Sequence, residues 1–194
     1  SGYRLGHGEL VDSMIKEGLW DVYNQFHMGK AAELCAEKSK ISRQDQDQFA
    51  AASYRRALSA LEKGEFKREI VPVAVPQRSE KELVIEEDEE PKRVRFEKLP
   101  TLKPSFKQGG TVTAGNASSI SDGAAALVVM EEGRATAQGL KPIARIVACA
   151  SFATEPAWFT TAPIQAISGL LRKAELGLAD IDLFEINEAF AVCS

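Results

Sequence analysis

Apolar residues recur at helical spacing in some stretches of the chain and run unbroken or alternate in others, and the two patterns interleave. Leu10, Val11, Met14 and Ile15 share one face of a short helix that Gly18 ends. Residues 30–38 predict a second helix. A third starts at Ser42, whose side chain is placed to cap the first turn while Asp45, three residues on, completes a capping box. Phe49, Ala52, Ser53, Arg56, Ala57, Ala60 and Leu61 then follow at helical spacing as far as Gly64. Residues 69–75 alternate and are β-branched, which predicts a strand, and Pro72 places it at an edge because proline cannot donate to a ladder. Small residues dominate 109–119, and an apolar run over 124–130 predicts a buried strand. Beyond it come a helix over 131–138 ending at Gly139, a fully apolar strand over 143–150, an amphipathic helix over 164–176 and a strand over 182–186. Strand and helix alternating in this way predict an α/β fold.

Composition narrows the classes of function. Of 194 residues, 44% are hydrophobic and 27% charged, the balance of a packed protein rather than a disordered one. A net charge of -4 gives no electrostatic reason to expect nucleic acid, which is held through basic patches. The longest purely apolar run, 124–130, is far short of the roughly 20 residues that span a bilayer, so no membrane helix is expected. The opening Ser1-Gly2-Tyr3 has no initiator Met, basic region or apolar core of a signal peptide. Cys35, Cys149 and Cys193 are odd in number and far apart, with no C-x-x-C pair, which argues against a disulfide framework or a zinc site and for a reducing interior.

Chemistry concentrates in few places. The sequence Asp182-Leu183-Phe184-Glu185-Ile186 leads into Asn187-Glu188-Ala189-Phe190-Ala191, and a strand that delivers polar groups at its carboxyl end is a common way to build an α/β site. The Asn187 amide either orients a water or satisfies backbone groups at a turn. His27, between Phe26 and Met28, either lines a pocket or is a satisfied structural residue. His7, between Gly6 and Gly8, reads as a surface-loop histidine. Cys193 lies near Asn187, but no basic residue in the last twenty positions lowers its pKa, so it reads as packing, as do Cys149 in its apolar run and Cys35 on a helix. Residues 80–90 are dense in acid and precede Lys92-Arg93-Val94-Arg95. They read as a solvated loop of neighbouring opposite charges, with anion binding by Lys92 or Arg93 as the alternative. Gly and Ala over 109–119 let backbone approach a ligand closely, and Gly115 or Asn116 is expected at positive φ.

Four segments carry a resemblance. Phe26-His27-Met28-Gly29, then Gly110-Thr111-Val112-Thr113-Ala114-Gly115-Asn116-Ala117-Ser118, then Ser121-Asp122-Gly123-Ala124-Ala125-Ala126, then Asn187-Glu188-Ala189-Phe190-Ala191 resemble the thiolase family in sequence, order and separation over the whole chain. His27 before Met28-Gly29 is similar to its short-chain members that act on acetoacetyl-CoA. The resemblance implies a thiolase-fold α/β chain cut from within a longer enzyme. Residues 1–120 would be the loop domain with its start missing, 121–139 the end of the N-terminal thiolase domain, and 140–194 the truncated start of the C-terminal one.

The same resemblance implies acyl transfer on CoA thioesters by the parent enzyme. Two acetyl-CoA would condense to acetoacetyl-CoA and CoA, or the reverse, through an acyl-cysteine, without cofactor or metal. It also implies a homo-oligomer, dimer or tetramer, in the cytoplasm, with a mitochondrial or peroxisomal site as the alternative. Carried over by position, Leu19, His27, Met28, Ala114, Ala117, Ser118, Ile120, Phe159 and Phe190 would line the pantetheine and acyl pocket, and Asn187 would hold the water of an oxyanion hole. Donors fixed in advance are what a thioester oxyanion gains most from. Lys30 and Leu34 depart from the small or apolar residue and the Asn usual in the family. The nucleophilic Cys, the His of the Gly-His motif and the acid/base Cys of the family have no counterpart in this segment, so the 194-residue chain is expected to be inactive alone. The rivals are a degradative 3-ketoacyl-CoA thiolase of fatty-acid β-oxidation, a non-catalytic thiolase-like protein that binds CoA or lipid, and a gene fragment with no function of its own.

Overall fold

The computed structural model describes residues 2, 4–77 and 82–194, so Glu80, the first acid of the expected charged loop, lies outside the described residues. The chain forms two compact units, one of residues 1–35 with 119–187 and the other of 36–118 with 188–194.

In the first unit, helix α1 (Ser13–Gly18) begins where Asp12 caps it, its carboxylate accepting from the Met14 and Ile15 amides. Strands β1 (Trp20–Asp21) and β2 (Phe26–His27) pair antiparallel, Trp20 opposite His27 and Asp21 opposite Phe26. Two-residue strands are too short to show a periodicity, and the hairpin is fixed instead by Asp21. Its buried carboxylate accepts from the Tyr23 and Asn24 amides and from the Asn24 side chain. Helix α2 (Met28–Ser39), whose residues 28–35 belong to this unit and 36–39 to the second, starts two residues before the predicted onset and buries Ala31, Ala32, Cys35 and Ala36 along one face. Helix α4 (Glu132–Ala137) is capped by Glu131, and Gly139 at φ +67° closes its end as expected. Helix α5 (Ala162–Ala174) stops two residues short of Leu176, with Glu175 left-handed at φ +56°.

The three strands expected over 124–130, 143–150 and 182–186 do not form. An apolar run supplies strand propensity, but a strand exists only where a neighbour completes its hydrogen bonds, and none lies alongside among the described residues. Leu127 is accordingly 90% exposed, and Ile143, Ile146, Val147 and Leu183 stand in solvent too. Cys149, expected to pack inside its run, is exposed for the same reason.

The second unit is organised by helix α3 (Arg43–Lys63). Its capping box forms in both directions between Ser42 and Asp45, and Gly64 ends it at φ +68°, its amide donating to the Ala60 and Leu61 carbonyls. The face carrying Gln46, Asp47, Ala50 and Ala51 is buried, and α3 packs against three short 3-10 turns, Pro91–Arg93, Phe96–Thr101 and Ala191–Cys193. Only Val73–Val75 of the predicted 69–75 strand is paired; this β3 lies antiparallel to β4 (Leu83–Ile85) with Val73 opposite Ile85. The acidic stretch is therefore half a hairpin rather than all loop. Its opposite charges do meet, Lys92 with Glu87 and Arg93 with Glu89. As exposed pairs, screened by solvent, they add little to stability. No helix among the described residues is long and apolar enough to cross a membrane.

Candidate functional site

In the second unit the small-residue loop is built around Asn116, which is 3% exposed. Its Oδ1 accepts from the Thr113 amide at 2.8 Å, and its Nδ2 donates to Asp47 Oδ1 at 2.9 Å and to the Thr111 carbonyl at 3.1 Å. The buried Asp47 carboxylate is engaged on its other oxygen by Arg43 Nε at 2.7 Å, and Arg43 Nη2 reaches the Leu99 carbonyl at 2.6 Å. Gln46, also buried, donates to Thr111 Oγ1 at 2.9 Å. Buried polar groups are ordinarily paired in this way; the Gln46 Oε1, by contrast, is buried without a hydrogen-bond partner.

Neither Gly115 nor Asn116 has a positive φ. The glycine is required for another reason: a Cβ at Gly115 would lie 2.5 Å from Leu99 Cδ2 and 2.7 Å from Leu102 Cδ1. Close approach of two chain segments, not turn handedness, fixes the residue type.

Residues 188–193 lie along this loop. Ala117 bridges Phe190 antiparallel, the Ser118 amide donates to the Ala189 carbonyl at 2.9 Å, and the Ala191 amide donates to the Asn116 carbonyl at 2.9 Å. Phe106 meets the Phe190 ring edge-on, with centroids 6.1 Å apart. Ser53 Oγ on α3 donates to Glu188 Oε2 at 2.6 Å. Two of the segments singled out in the sequence are thus one structural object, which brings Ala117, Ser118 and Phe190 together, with Ala114 exposed on the same loop. The roles of Arg43 and Asp47 and the pairing of Ser53 with Glu188 were not anticipated. The available signal was that Gln46 and Asp47 fall on the face of α3 that also carries Ala50 and Ala51, where a purely apolar stripe would be expected.

In the first unit Leu19, His27 and Met28 are neighbours, the Met28 amide donating to the Leu19 carbonyl at 2.8 Å. His27 Nδ1 accepts from the Gly29 amide at 3.0 Å, so the imidazole caps the first turn of α2 and accounts for the early start of that helix. An accepting Nδ1 puts the proton of the neutral ring on Nε2. Burial pushes the His27 pKa down, favouring that neutral form. At Asp21 burial works to raise the pKa, and the hydrogen bonds from Asn24 and Tyr23 outweigh it, holding the carboxyl below its usual range. The Lys30 ammonium sits over the Phe26 ring, 5.7 Å from its centroid. Ile120, Phe159 and Asn187 are exposed in this unit, and no strand delivers Asn187. His7 is exposed on irregular chain, as read. Cys193 belongs to the Ala191–Cys193 turn.

Residues 1–133 match the thiolase N-terminal domain and residues 140–194 the thiolase C-terminal domain. An acetyl-CoA acetyltransferase of Pseudomonas aeruginosa is 48% identical over 195 positions, covering 100% of this chain and 50% of that protein. Acetyl-CoA acetyltransferase 2 of Arabidopsis thaliana is 51% identical over 98% of this chain and 48% of its own length. The crystal structure of the Bacillus anthracis acetyl-CoA acetyltransferase superposes with a TM-score of 0.90 at 43% identity, over 99% of this chain and 48% of that one. The architecture is therefore the α/β thiolase fold. The chain belongs to the thiolase family, and it spans about half the length of the curated relatives it matches.

Proposed function

We propose that the parent polypeptide transfers acyl groups between CoA thioesters, condensing two acetyl-CoA to acetoacetyl-CoA and CoA or running the reverse thiolysis. One observation carries the reading: the loop 110–118 and residues 188–191, the segments that most resemble the family's acyl-CoA motifs, are hydrogen-bonded to each other in a chain whose relatives are named acetyl-CoA acetyltransferases. In this reading Ala117, Ser118 and Phe190 form one wall for the pantetheine and acyl group, with Ala114 beside them. Leu19, His27, Met28, Ile120 and Phe159 are further acyl-CoA contacts that the family resemblance implies. The Nε2–H of neutral His27 is a donor suited to a thioester or ketone oxygen. Asn187 holds the water that donates to the developing oxyanion, and hydrogen bonds to such charge strengthen as the transition state forms. CoA thioesters are the substrates and no cofactor is needed. The reading extends to a homo-oligomer, dimer or tetramer, in a reducing compartment such as the cytoplasm, which three cysteines without pair spacing support.

The test is kcat/KM of the parent polypeptide for 3-ketoacyl-CoA substrates of increasing length. The expected order has acetoacetyl-CoA first, with at least about a tenfold fall for each misfitting methylene pair, since one methylene in an apolar pocket is worth roughly 1–3 kcal/mol. A preference for long chains would reassign it to degradation, and acyl-CoA binding without thiolysis would make it a binding protein.

A further inference from the structure

We propose that Ser53 and Asp47, both on α3, are positioning residues of the acyl-CoA site, each holding one of the two segments that build its wall; this rests on the acyl-transfer reading above. Ser53 holds residues 188–191 by donating to Glu188 Oε2 at 2.6 Å, across 135 positions of sequence. Asp47 holds the loop 110–118 through the Asn116 amide at 2.9 Å and is itself fixed by Arg43 at 2.7 Å. The two segments then bond to each other at Ser118–Ala189 and Asn116–Ala191. A closed circuit results: helix, loop, second segment and back to the helix.

α3 suits the task. It is 21 residues long, capped at both ends, and presents Asp47 and Ser53 nearly two turns apart. The two anchors differ in kind. Asp47 is buried and charged, so its interactions also serve the fold. The Ser53 to Glu188 bond is exposed, and substitutions at such positions ordinarily change stability little. A functional defect on losing the Ser53 hydroxyl therefore reports position, not unfolding. Neither residue is given contact with the substrate.

The decisive experiment compares Ser53→Ala, Glu188→Ala, their double variant and Ser53→Thr in the parent polypeptide, with amide hydrogen exchange read at Ser118 and Ala191. Ser53→Ala is expected to raise KM for acetoacetyl-CoA and lower kcat/KM about tenfold, within the ~10²-fold that a 1 Å misplacement can cost. Its melting temperature should match wild type, and exchange at Ser118 and Ala191 should quicken. Glu188→Ala should do the same, the double variant should be no worse than either single one, and Ser53→Thr, which keeps the hydroxyl, should restore wild-type KM. Asp47→Ala should quicken the same two amides. Wild-type KM and exchange in Ser53→Ala, or additive effects in the double variant, would overturn the proposal. If the wild-type polypeptide turns over no CoA thioester, the acyl-transfer reading fails and takes the catalytic half of the proposal with it, while the exchange response still decides whether the two side chains hold the segments.

Discussion

His27 joins a structural role to the acyl-CoA contact proposed for it. Its Nδ1 accepts the Gly29 amide and caps α2, and burial holds its pKa below the ordinary 6.5. The unfolded chain then takes up the proton more readily than the folded one as pH falls. The contribution is complete above about pH 6.5 and is lost as pH drops through that value toward the lower folded pKa. Urea titrations of the parent polypeptide from about pH 7.5 to about pH 5.5 should show a midpoint falling with pH, and His27→Asn, which can still accept at the cap, should flatten that dependence. An identical slope in the variant would place the titrating group elsewhere. Asn187→Ala, in the parent polypeptide, should lower kcat far more than it raises KM, by roughly 3–4 kcal/mol of transition-state stabilisation if its water completes an oxyanion hole. An unchanged kcat with a raised KM would make Asn187 a ground-state contact.

Elements whose ends are dictated locally were legible, and those that depend on a distant neighbour were not. The bounds of α3 follow from Ser42, Asp45 and Gly64 because each acts within a turn of its own position. The start of α2 was misread because the capping group is an imidazole, which is not among the usual cap residues. Gly115 was singled out correctly for the wrong reason, because steric approach by Leu99 and Leu102 leaves no trace in local pattern. Gly115→Ala should therefore destabilise the second unit by about 1–3 kcal/mol through overpacking, whereas the same change at the positive-φ, open position Gly109 acts only through backbone strain. Chemical denaturation of the two variants in the parent polypeptide separates these effects. Equal stability of Gly115→Ala and wild type would mean that the leucines repack freely.

At the scale of the molecule, the exposed apolar runs over 124–130 and 143–150 are the dominant physical fact. Contiguous apolar surface of this kind drives association, and stability drawn from the described contacts alone is small. The 194-residue chain on its own should bind a hydrophobic dye, self-associate with concentration and melt without a sharp transition. It should also show no thiolysis of acetoacetyl-CoA, since the family resemblance implies that it carries no counterpart of the family's nucleophilic and acid/base residues. Turnover above a buffer blank, or a cooperative melt of a monomer at high temperature, would contradict these expectations.

Sequence by itself determined the presence of the helices, the caps of α3, the alternation that marks an α/β chain and the motif segments by which the family was recognised, because each depends on neighbours within a few residues or on a pattern carried in the chain. Tertiary structure alone decided that residues 110–118 and 188–191 are one object, that Asp47 and Ser53 hold them, that Gly115 is fixed by two leucines, and that three apolar runs remain unpaired. These outcomes depend on groups as many as 135 positions apart, as Ser53 and Glu188 are. Hydrogen bonds and van der Waals contacts act over a few ångströms of space, whatever the distance along the chain.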